Sequence, residues 1–227
     1  MSYPQRHFTV PPDATEVVLV RHGASSPAVE GERFPMTDGH GDPPLSEAGA
    51  EQARCVAARL RAEPLAALFT SGLRRTDQTA APLAEQKGLR PVVIPELREV
   101  NLGEWEGGEF RIRVANRDPL AVRMLEEERW DVIPGAEDTE SFGRRLRSGI
   151  ERIVEATGSG LAAAFVHAAV IGELCRQATA SRPFAFVHAD NASLTRLVVL
   201  ADGRWLLRSF NDTAHLASQA ALDGRAP

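Results

Sequence analysis

The chain has 227 residues, of which 43% are hydrophobic and 25% are charged, a composition typical of one ordinary globular domain. Thirty-one acidic residues against 26 basic ones give a net charge of −5, and aromatic residues make up only 6%. This balance disfavours a general nucleic-acid binder, because such proteins usually carry a basic face with stacking aromatic side chains.

The sequence contains no segment typical of a membrane or secreted protein. No apolar run approaches the roughly 20 residues that cross a bilayer, and the first dozen residues lack the apolar core of a signal peptide. Cys55 and Cys175 lie far apart in helix-like contexts, so we expect both to be reduced and structural. We therefore expect a cytoplasmic protein without a membrane partner.

The first half of the chain predicts strands that alternate with helices. Residues 16–21 form a short apolar run that is typical of a buried strand and ends at His22. A loop rich in proline and glycine follows, and Ser46 is placed to cap a helix that ends before Pro64. The next predicted elements are a strand over 66–70, a helix over 73–86 that ends at Gly88, and a strand over 91–94.

The second half begins with an irregular stretch and then returns to alternation. Residues 96–141 are rich in glycine and short helical pieces. Beyond them we predict a helix over 144–156, a strand over 161–166, a helix over 168–180, and strands over 194–201 and 204–210 joined as a hairpin. This order predicts an α/β three-layer sandwich with a mostly parallel central sheet, helices on both faces and an inserted helical cap. We expect residues 1–227 to form a single domain, with the cap at about 104–141.

Ligands of open α/β sheets bind beyond the carboxyl ends of the strands, so the polar residues there are the candidates for a site. Arginine side chains pair with phosphate oxygens, and a glycine beside a histidine lets backbone N–H groups approach an anion closely. The pattern therefore indicates a phosphate pocket. The residues that follow the predicted strands are Arg21, His22, Gly23, Ser71, Arg74, Arg75 and His167.

Six sequence blocks occur in order along the chain, and three of them contain the residues that follow the predicted strands. They are VLVRHG (18–23), DPPLSEAG (42–49), SGLRRTDQTA (71–80), LREVNLGEWEG (97–107), FVHAAVI (165–171) and NDTAHL (211–216). The set resembles the histidine phosphatase superfamily, in its phosphoglycerate mutase-like branch, over residues 16–216. The resemblance implies an enzyme that forms a phosphohistidine and needs neither a metal nor another cofactor.

The resemblance also implies a role for each of five residues. His22 would be the nucleophile, and Arg21 beside it would hold the phosphate. In the pattern S-x-L-x-R the arginine falls on Arg75, a second phosphate clamp, and in L-x-E-x-x-x-G the acid falls on Glu99, the general acid. His167 would complete the pocket. Neighbouring arginines would keep His22 unprotonated, as a nucleophile requires, by lowering a pKa that is ordinarily about 6.5.

The remaining expected phosphate contacts are Gly23, Ser25 and Ala168. The sequence departs from the family pattern around them. Ala24 and Ala28 stand where an acid or amide and a phosphate-binding asparagine are usual, and Ala168 and Ala169 replace two glycines. A backbone N–H survives a change from glycine to alanine, so Ala168 can still donate to phosphate where its φ is negative.

Several nearby polar residues have competing interpretations. Glu104 and Glu106 are close enough to Glu99 in sequence to be the acid in its place. Asp38, His40 and Asp42 are residue types that bind metals, but no further ligand stands at an established spacing, so a loop at the mouth of the site is the better interpretation. Asn191 and Ser193 are candidates to line the site. The residues expected to be structural or solvated are Arg74, Arg144, Arg145, Arg147, His188 and His215.

Three functions remain open at this level. The first is a metal-independent phosphatase that acts on a small phosphomonoester through His22. The second is a phosphoglycerate mutase-type phosphotransferase, which must bind a second phosphate and for which Arg111, Arg113 and Arg117 are the candidates. These three arginines are weak evidence for a second phosphate site. All but one of the 26 basic residues of the chain are arginines, so an arginine at any given position is expected from composition alone. The third is a catalytically silent anion-binding or interaction protein, which the alanines around the pocket suggest.

The substrate and the oligomeric state are not indicated. The apolar residues of the insertion either contact an apolar part of the substrate or pack the cap onto the sheet. The edge strand of the predicted hairpin can pair with a second copy, so a homodimer stays open. The insertion residues concerned are Phe110, Met124, Leu125 and Trp130.

Overall fold

The computed structural model describes residues 2–217 as alternating strands and helices with short 3₁₀ turns. In chain order the strands are β1 (Thr15–Arg21), β2 (Met36–Thr37), β3 (His40–Gly41), β4 (Leu65–Thr70), β5 (Val92–Val93), β6 (Gly160–Val166), β7 (Leu194–Val199) and β8 (Trp205–Asp212). The α-helices are α1 (Glu47–Leu60), α2 (Arg74–Lys87), α3 (Glu109–Ala115), α4 (Pro119–Glu127), α5 (Thr139–Thr157) and α6 (Ala168–Thr179).

The central sheet has the order β5-β4-β6-β1-β7-β8. Strands β5, β4, β6 and β1 are parallel to one another, whereas β7 pairs antiparallel with both β1 and β8. This confirms the predicted α/β fold with a mostly parallel sheet. The predicted hairpin near the C-terminus is present as β7 and β8.

Strand β1 separates two hydrophobic clusters, one on each face of the sheet. Its residues 17–20 are all fully buried, which explains why the strand reads as a continuous apolar run. Val17 and Leu19 belong to the cluster that includes apolar residues of α5 and α6, and Val18 and Val20 to the cluster with α1 and α2. Successive side chains of a strand point to opposite faces, so the sandwich has helices on both sides as predicted.

Several element boundaries differ from the sequence predictions. β5 keeps only Val92 and Val93, and the loop before α1 contains the short hairpin of β2 and β3. α5 begins at Thr139, five residues before its predicted start, because the Asp138 carboxylate accepts a hydrogen bond from the Ser141 N–H at 2.8 Å. The helix therefore begins inside the region that was assigned to the cap.

The segment predicted as a cap carries α3 and α4 and joins the main core. Ala121, Met124 and Trp130 are buried in the same cluster as β1 and α5. Both cysteines are free thiols. Within residues 2–217, no helix is long and apolar enough to cross a membrane.

A close approach between two glycines seats the loop after β1 on helix α1. A Cβ atom on Gly23 would stand 2.5 Å from the carbonyl oxygen of Gly49, and one on Gly49 would overlap the carbonyl of Ala24. Ser46 strengthens the junction, because its side chain caps α1 and its N–H donates to the Ala24 carbonyl at 2.9 Å. There is therefore no room for a side chain at Gly23 or Gly49.

We expect Gly49→Ala to lower the free energy of unfolding by about 1–3 kcal/mol, since the added methyl group forces the loop away from the helix. In an exposed helix the same change stabilises by about 1 kcal/mol. Urea unfolding followed by circular dichroism measures the difference. Arg54→Ala, at an exposed position of α1, is the matched control and should change stability by less than about 0.5 kcal/mol. A variant more stable than the wild type would contradict the packing argument.

Candidate active site

The carboxyl ends of three adjacent parallel strands bring the predicted polar residues together. Arg21 at the end of β1 pairs with Val166 at the end of β6, and β4 ends beside them. The N–H of His22 donates to the carbonyl of Val166 at 3.0 Å. His167 and Ser71 follow β6 and β4 directly, so their side chains meet next to His22, as expected for a ligand site at this edge.

His22 is held as a neutral imidazole with one free nitrogen. Its Nδ1 lies 2.7 Å from the carbonyl oxygen of Gly23. A carbonyl can only accept, so Nδ1 carries the proton and Nε2 keeps its lone pair. Burial, followed by the charges of Arg75 and Arg21, holds the pKa of His22 well below its usual value. The side chain lines the cavity while only 5% of the residue is exposed.

Arg21 and Arg75 flank His22 and are anchored through backbone carbonyls. Arg21 donates one guanidinium nitrogen to the carbonyl of Ala189, while its buried Nε has no partner within residues 2–217. Arg75 donates to the Gly41 carbonyl at 2.9 Å and lies 3.8 Å from the Asp42 carboxylate. Both guanidiniums line the cavity. Two fixed cations beside a neutral imidazole suit a bound phosphate.

His167 lies behind His22 and is fully buried, with the two ring centroids 5.2 Å apart. Its Nε2 lies 2.9 Å from the Ser71 hydroxyl, whereas its buried Nδ1 has no partner in the described part of the chain. Burial and then the charge of Arg75 hold the pKa of His167 well below its ordinary value. His167 does not itself line the cavity, so the structure places it behind His22 and not in the expected contact with phosphate.

Glu99 reaches the same cavity from the loop after β5. Burial raises the pKa of its carboxyl group, and the charges of Arg75 and Arg21 oppose part of that shift. One carboxylate oxygen accepts from the Val100 N–H at 3.2 Å, and the other lies 3.4 Å from the Ala169 N–H. The raised pKa keeps a proton available at higher pH than for a solvated glutamate.

The two competing acids occupy different positions. Glu104 is exposed and does not line the cavity. Glu106 lines it, but one of its oxygens accepts from the Gly41 N–H at 2.6 Å and the other from the Leu102 N–H at 3.0 Å. Glu106 therefore connects two loops. Glu99 is held by longer contacts, at 3.2 and 3.4 Å, and interacts with Arg75 and Arg21, which flank His22.

Arg145 corrects the prediction of a solvated arginine face on α5. Its guanidinium donates to both carboxylate oxygens of Glu137, each at 2.7 Å. It also donates to the carbonyls of Glu96 and Arg98 at 2.7 Å and of Glu99 at 2.9 Å. Arg145 thus holds the backbone that carries the acid. Sequence periodicity could not show this, since the acceptors are carbonyl groups of a remote loop.

The other two arginines of that face are exposed, as predicted. Arg144 pairs with Glu140 one turn away. Arg147 lies with its guanidinium 4.7 Å from the centre of the Trp205 ring. The solvated-face prediction is therefore right for Arg144 and Arg147 and wrong for Arg145.

Gly23 and Ser25 are expected phosphate contacts, but neither residue lines the cavity. The N–H of Gly23 already donates to the Thr79 hydroxyl at 3.0 Å, and its carbonyl accepts from His22. The Ser25 hydroxyl accepts from Arg111 at 2.7 Å. Gly23 therefore orients the imidazole, and of the three remaining expected contacts only Ala168 lines the cavity.

Arg111 on α3 lines the cavity, although the sequence gives little reason to choose it among so many arginines. It also donates to the Ser26 carbonyl at 2.9 Å and lies 5.3 Å from the centre of the Phe34 ring. Burial lowers its pKa, and its charge helps to lower the pKa of His22. Arg113, by contrast, pairs with Glu109 and Asp118 outside the cavity. An arginine-rich composition hid the difference.

The three candidate metal ligands form ion pairs or hydrogen bonds within the protein. Asp38 pairs with Arg98 at 2.8 Å, and the Asp42 carboxylate accepts from the backbone N–H of Arg74 at 2.8 Å. His40 lies with Nε2 3.1 Å from the Glu99 carbonyl. Over residues 2–217 no group of three or more histidine, cysteine, aspartate or glutamate side chains could hold a metal ion.

The remaining predicted residues support or border the site. The Asn191 side chain donates to the His22 carbonyl at 2.9 Å, and the Ser193 carbonyl accepts from the Arg21 N–H at 3.1 Å. His215 lies 3.0 Å from the Ala192 carbonyl, in a structural position. His188, which was expected to be structural, is exposed and lines the cavity.

Comparisons with known proteins match nearly the whole chain. The family model of the histidine phosphatase superfamily (branch 1) matches residues 17–213. A probable phosphoglycerate mutase GpmB of Yersinia enterocolitica is 32% identical over 215 residues, which is 92% of this chain and 97% of the relative. The chain belongs to the histidine phosphatase superfamily.

Two proteins with solved structures of similar fold have different activities. A mycobacterial glucosyl-3-phosphoglycerate phosphatase has a TM-score of 0.71 at 26% identity, over 88% of this chain and all of that one. A phosphoglycerate mutase from Bacillus anthracis has a TM-score of 0.74 at 24% identity, over 91% of this chain and 96% of that one, which shows the shared fold. Phosphatases and mutases thus both stand among the similar proteins.

We expect Arg145→Ala to lower the free energy of unfolding by about 2–4 kcal/mol, since it leaves three carbonyls and the Glu137 carboxylate without their donor. Arg144→Ala is the matched control on the same helix, where loss of an exposed pair should cost less than about 0.5 kcal/mol. Thermal and urea unfolding measure both variants. Equal stability of the two variants would show that Arg145 does not organise the loop.

Proposed function

We propose that this member of the superfamily is a metal-independent phosphatase that hydrolyses a small phosphomonoester through a phosphohistidine on His22. The observation that carries the proposal is the state of His22: Nδ1 is bonded to a carbonyl, Nε2 keeps its lone pair, and burial beside cations disfavours protonation. A nucleophile of this kind faces an acid, Glu99, whose pKa is raised.

In the first step, Nε2 of His22 attacks the phosphorus atom and the bond to the ester oxygen breaks. Glu99 gives its proton to the departing oxygen, so a neutral alcohol leaves. The guanidiniums of Arg21 and Arg75 oppose the negative charge on the equatorial phosphate oxygens.

In the second step, water attacks the phosphorus atom of the phosphohistidine and the bond to Nε2 breaks. Glu99, now a carboxylate, accepts the proton of the attacking water, so inorganic phosphate leaves and the starting state is restored. The step needs access for water. The exposure of Leu125 and Val114 at the cavity wall, 46% and 37%, supports such access.

A phosphoglycerate mutase-type phosphotransferase is the second candidate. It is favoured by the similarity to the Yersinia protein and by Arg111, a third arginine that lines the cavity. A mutase must keep water from the phosphohistidine, and the open wall argues against this. A catalytically silent anion binder is disfavoured, because the nucleophile, the acid and both phosphate arginines are all present around one cavity.

We expect wild-type protein to hydrolyse p-nitrophenyl phosphate in EDTA and His22→Ala to lose at least about a thousandfold of that activity, since no other group supplies the nucleophile. Arg74→Ala is the control, because Arg74 is exposed beside Arg75. Rapid quench of the wild type followed by mass spectrometry should show phosphate on His22. Activity that disappears in EDTA, or survives in His22→Ala, would contradict the mechanism.

We expect Glu99→Gln to lower kcat/KM about 10²- to 10⁴-fold on an alkyl phosphate and far less on p-nitrophenyl phosphate. An alkoxide needs a proton to leave, whereas p-nitrophenolate does not, and kcat/KM reports the phosphorylation step. For the wild type, kcat/KM on the alkyl ester should fall as the pH rises through the raised pKa of Glu99, because the protonated acid is lost. Exposed Glu104→Gln is the control. Equal losses on both esters would exclude Glu99 as the acid.

A further inference from the structure

We infer that the alcohol part of the substrate is apolar, an alkyl or aryl group without a second anionic group. The inference rests on the proposed phosphatase function and adds the substrate class. It comes from the division of the cavity, whose volume is about 410 Å³, into a cationic end around His22 and an apolar wall.

Four aromatic side chains form the centre of that wall. Trp105, Phe110, Trp130 and Phe184 follow one another, with ring centroids 6.3, 6.1 and 4.7 Å apart. All four line the cavity. The remaining apolar side chains of the wall are Phe34, Val100, Leu102, Val114, Met124, Leu125 and Val187.

Part of this apolar surface is left open to solvent. Met124 and Trp130 are buried and pack the α3–α4 segment onto the core, so the packing interpretation holds for them. Leu125 is 46% exposed, Val114 is 37% exposed and Phe110 is half-buried, yet all three face the cavity. An apolar ligand that covers these side chains removes their surface from water, which favours binding.

The charged groups of the cavity are concentrated at its other end. Its three arginines, Arg21, Arg75 and Arg111, all lie close enough to His22 to lower its pKa. Glu106 has both carboxylate oxygens bonded to backbone N–H groups. Arg111 lies 5.3 Å from the Phe34 ring at the edge of the wall, but its guanidinium already donates to the Ser26 carbonyl and to the Ser25 hydroxyl.

Three further ionisable side chains lie near the wall. His40 and His188 line the cavity, where His40 lies against the carbonyls of Asp38 and Glu99 and His188 is exposed to solvent. The Arg113 guanidinium lies 5.4 Å from the Trp105 ring, but it is bonded to two carboxylates and does not line the cavity. A carboxylate or second phosphate placed on this wall would lose hydration without gaining a partner, whereas an alkyl or aryl group would not.

The test is a series of n-alkyl phosphates from methyl to hexyl, assayed in EDTA with 3-phosphoglycerate as the charged comparison. The leaving-group chemistry stays nearly constant along the series, so differences report binding of the chain. We expect kcat/KM to rise about three- to fourfold per methylene group. The rise should come mainly from KM, because the wall contacts the alcohol equally in the ground and transition states.

Leu125→Asn tests the wall at an exposed position and should reduce the ratio of kcat/KM for hexyl phosphate to that for methyl phosphate at least about fivefold. Val122→Asn is the matched control, since Val122 is 42% exposed on the same helix but does not line the cavity. Its ratio should equal that of the wild type. A Leu125→Asn ratio equal to the wild-type ratio would contradict the inference.

Binding without turnover separates this inference from the proposed function. Hexylphosphonate and methylphosphonate are titrated into wild-type protein and into His22→Ala, and binding is followed by tryptophan fluorescence. Because hexyl has five more methylene groups than methyl, we expect hexylphosphonate to bind roughly 200- to 1,000-fold more tightly to each. Equal binding, or 3-phosphoglycerate turned over with a higher kcat/KM than hexyl phosphate, would overturn the apolar substrate. Tight binding of hexylphosphonate without hydrolysis of any ester would instead refute the phosphatase function and leave the apolar wall standing.

Discussion

The hydrogen bond from Nδ1 of His22 to the carbonyl of Gly23 is the interaction on which the site depends. It selects the tautomer that leaves Nε2 unprotonated, and the surrounding arginines then oppose addition of a second proton. The carbonyl is in place because the loop after β1 lies directly on α1, where Gly23 meets Gly49 without side chains between them. Backbone packing thus determines which nitrogen of the His22 imidazole carries the proton.

The acid depends on a different support. Glu99 stands on a loop without regular structure, and such a loop needs partners for its carbonyl groups. Arg145 supplies several of them from α5, while Glu106 connects the same region to Gly41 beside Arg75. His22, the proposed nucleophile, and Glu99, the proposed acid, are therefore held by different partners: the contact of the loop after β1 with α1, and Arg145 on α5.

The cavity itself combines two kinds of recognition. Fixed cations and a buried histidine at the strand ends suit any phosphate group, and this part of the site follows from the fold that phosphatases and mutases share. The wall, to which α3 and α4 contribute, is apolar and aromatic. In the proposed function it contacts the group that carries the phosphate, so reaction type and substrate choice are located on different elements and either can change without the other.

The sequence by itself determined the α/β class, most elements and the positions that follow strands β1, β4 and β6, because apolar runs, caps and turn residues are local signals. It also pointed to His22, Arg75 and Glu99 through their motifs. Only the tertiary structure decided that Arg145 holds a distant loop, that Gly23 orients His22, and that Arg111 reaches the cavity. Those roles depend on backbone carbonyls and neighbours far away in the chain, which no local pattern encodes.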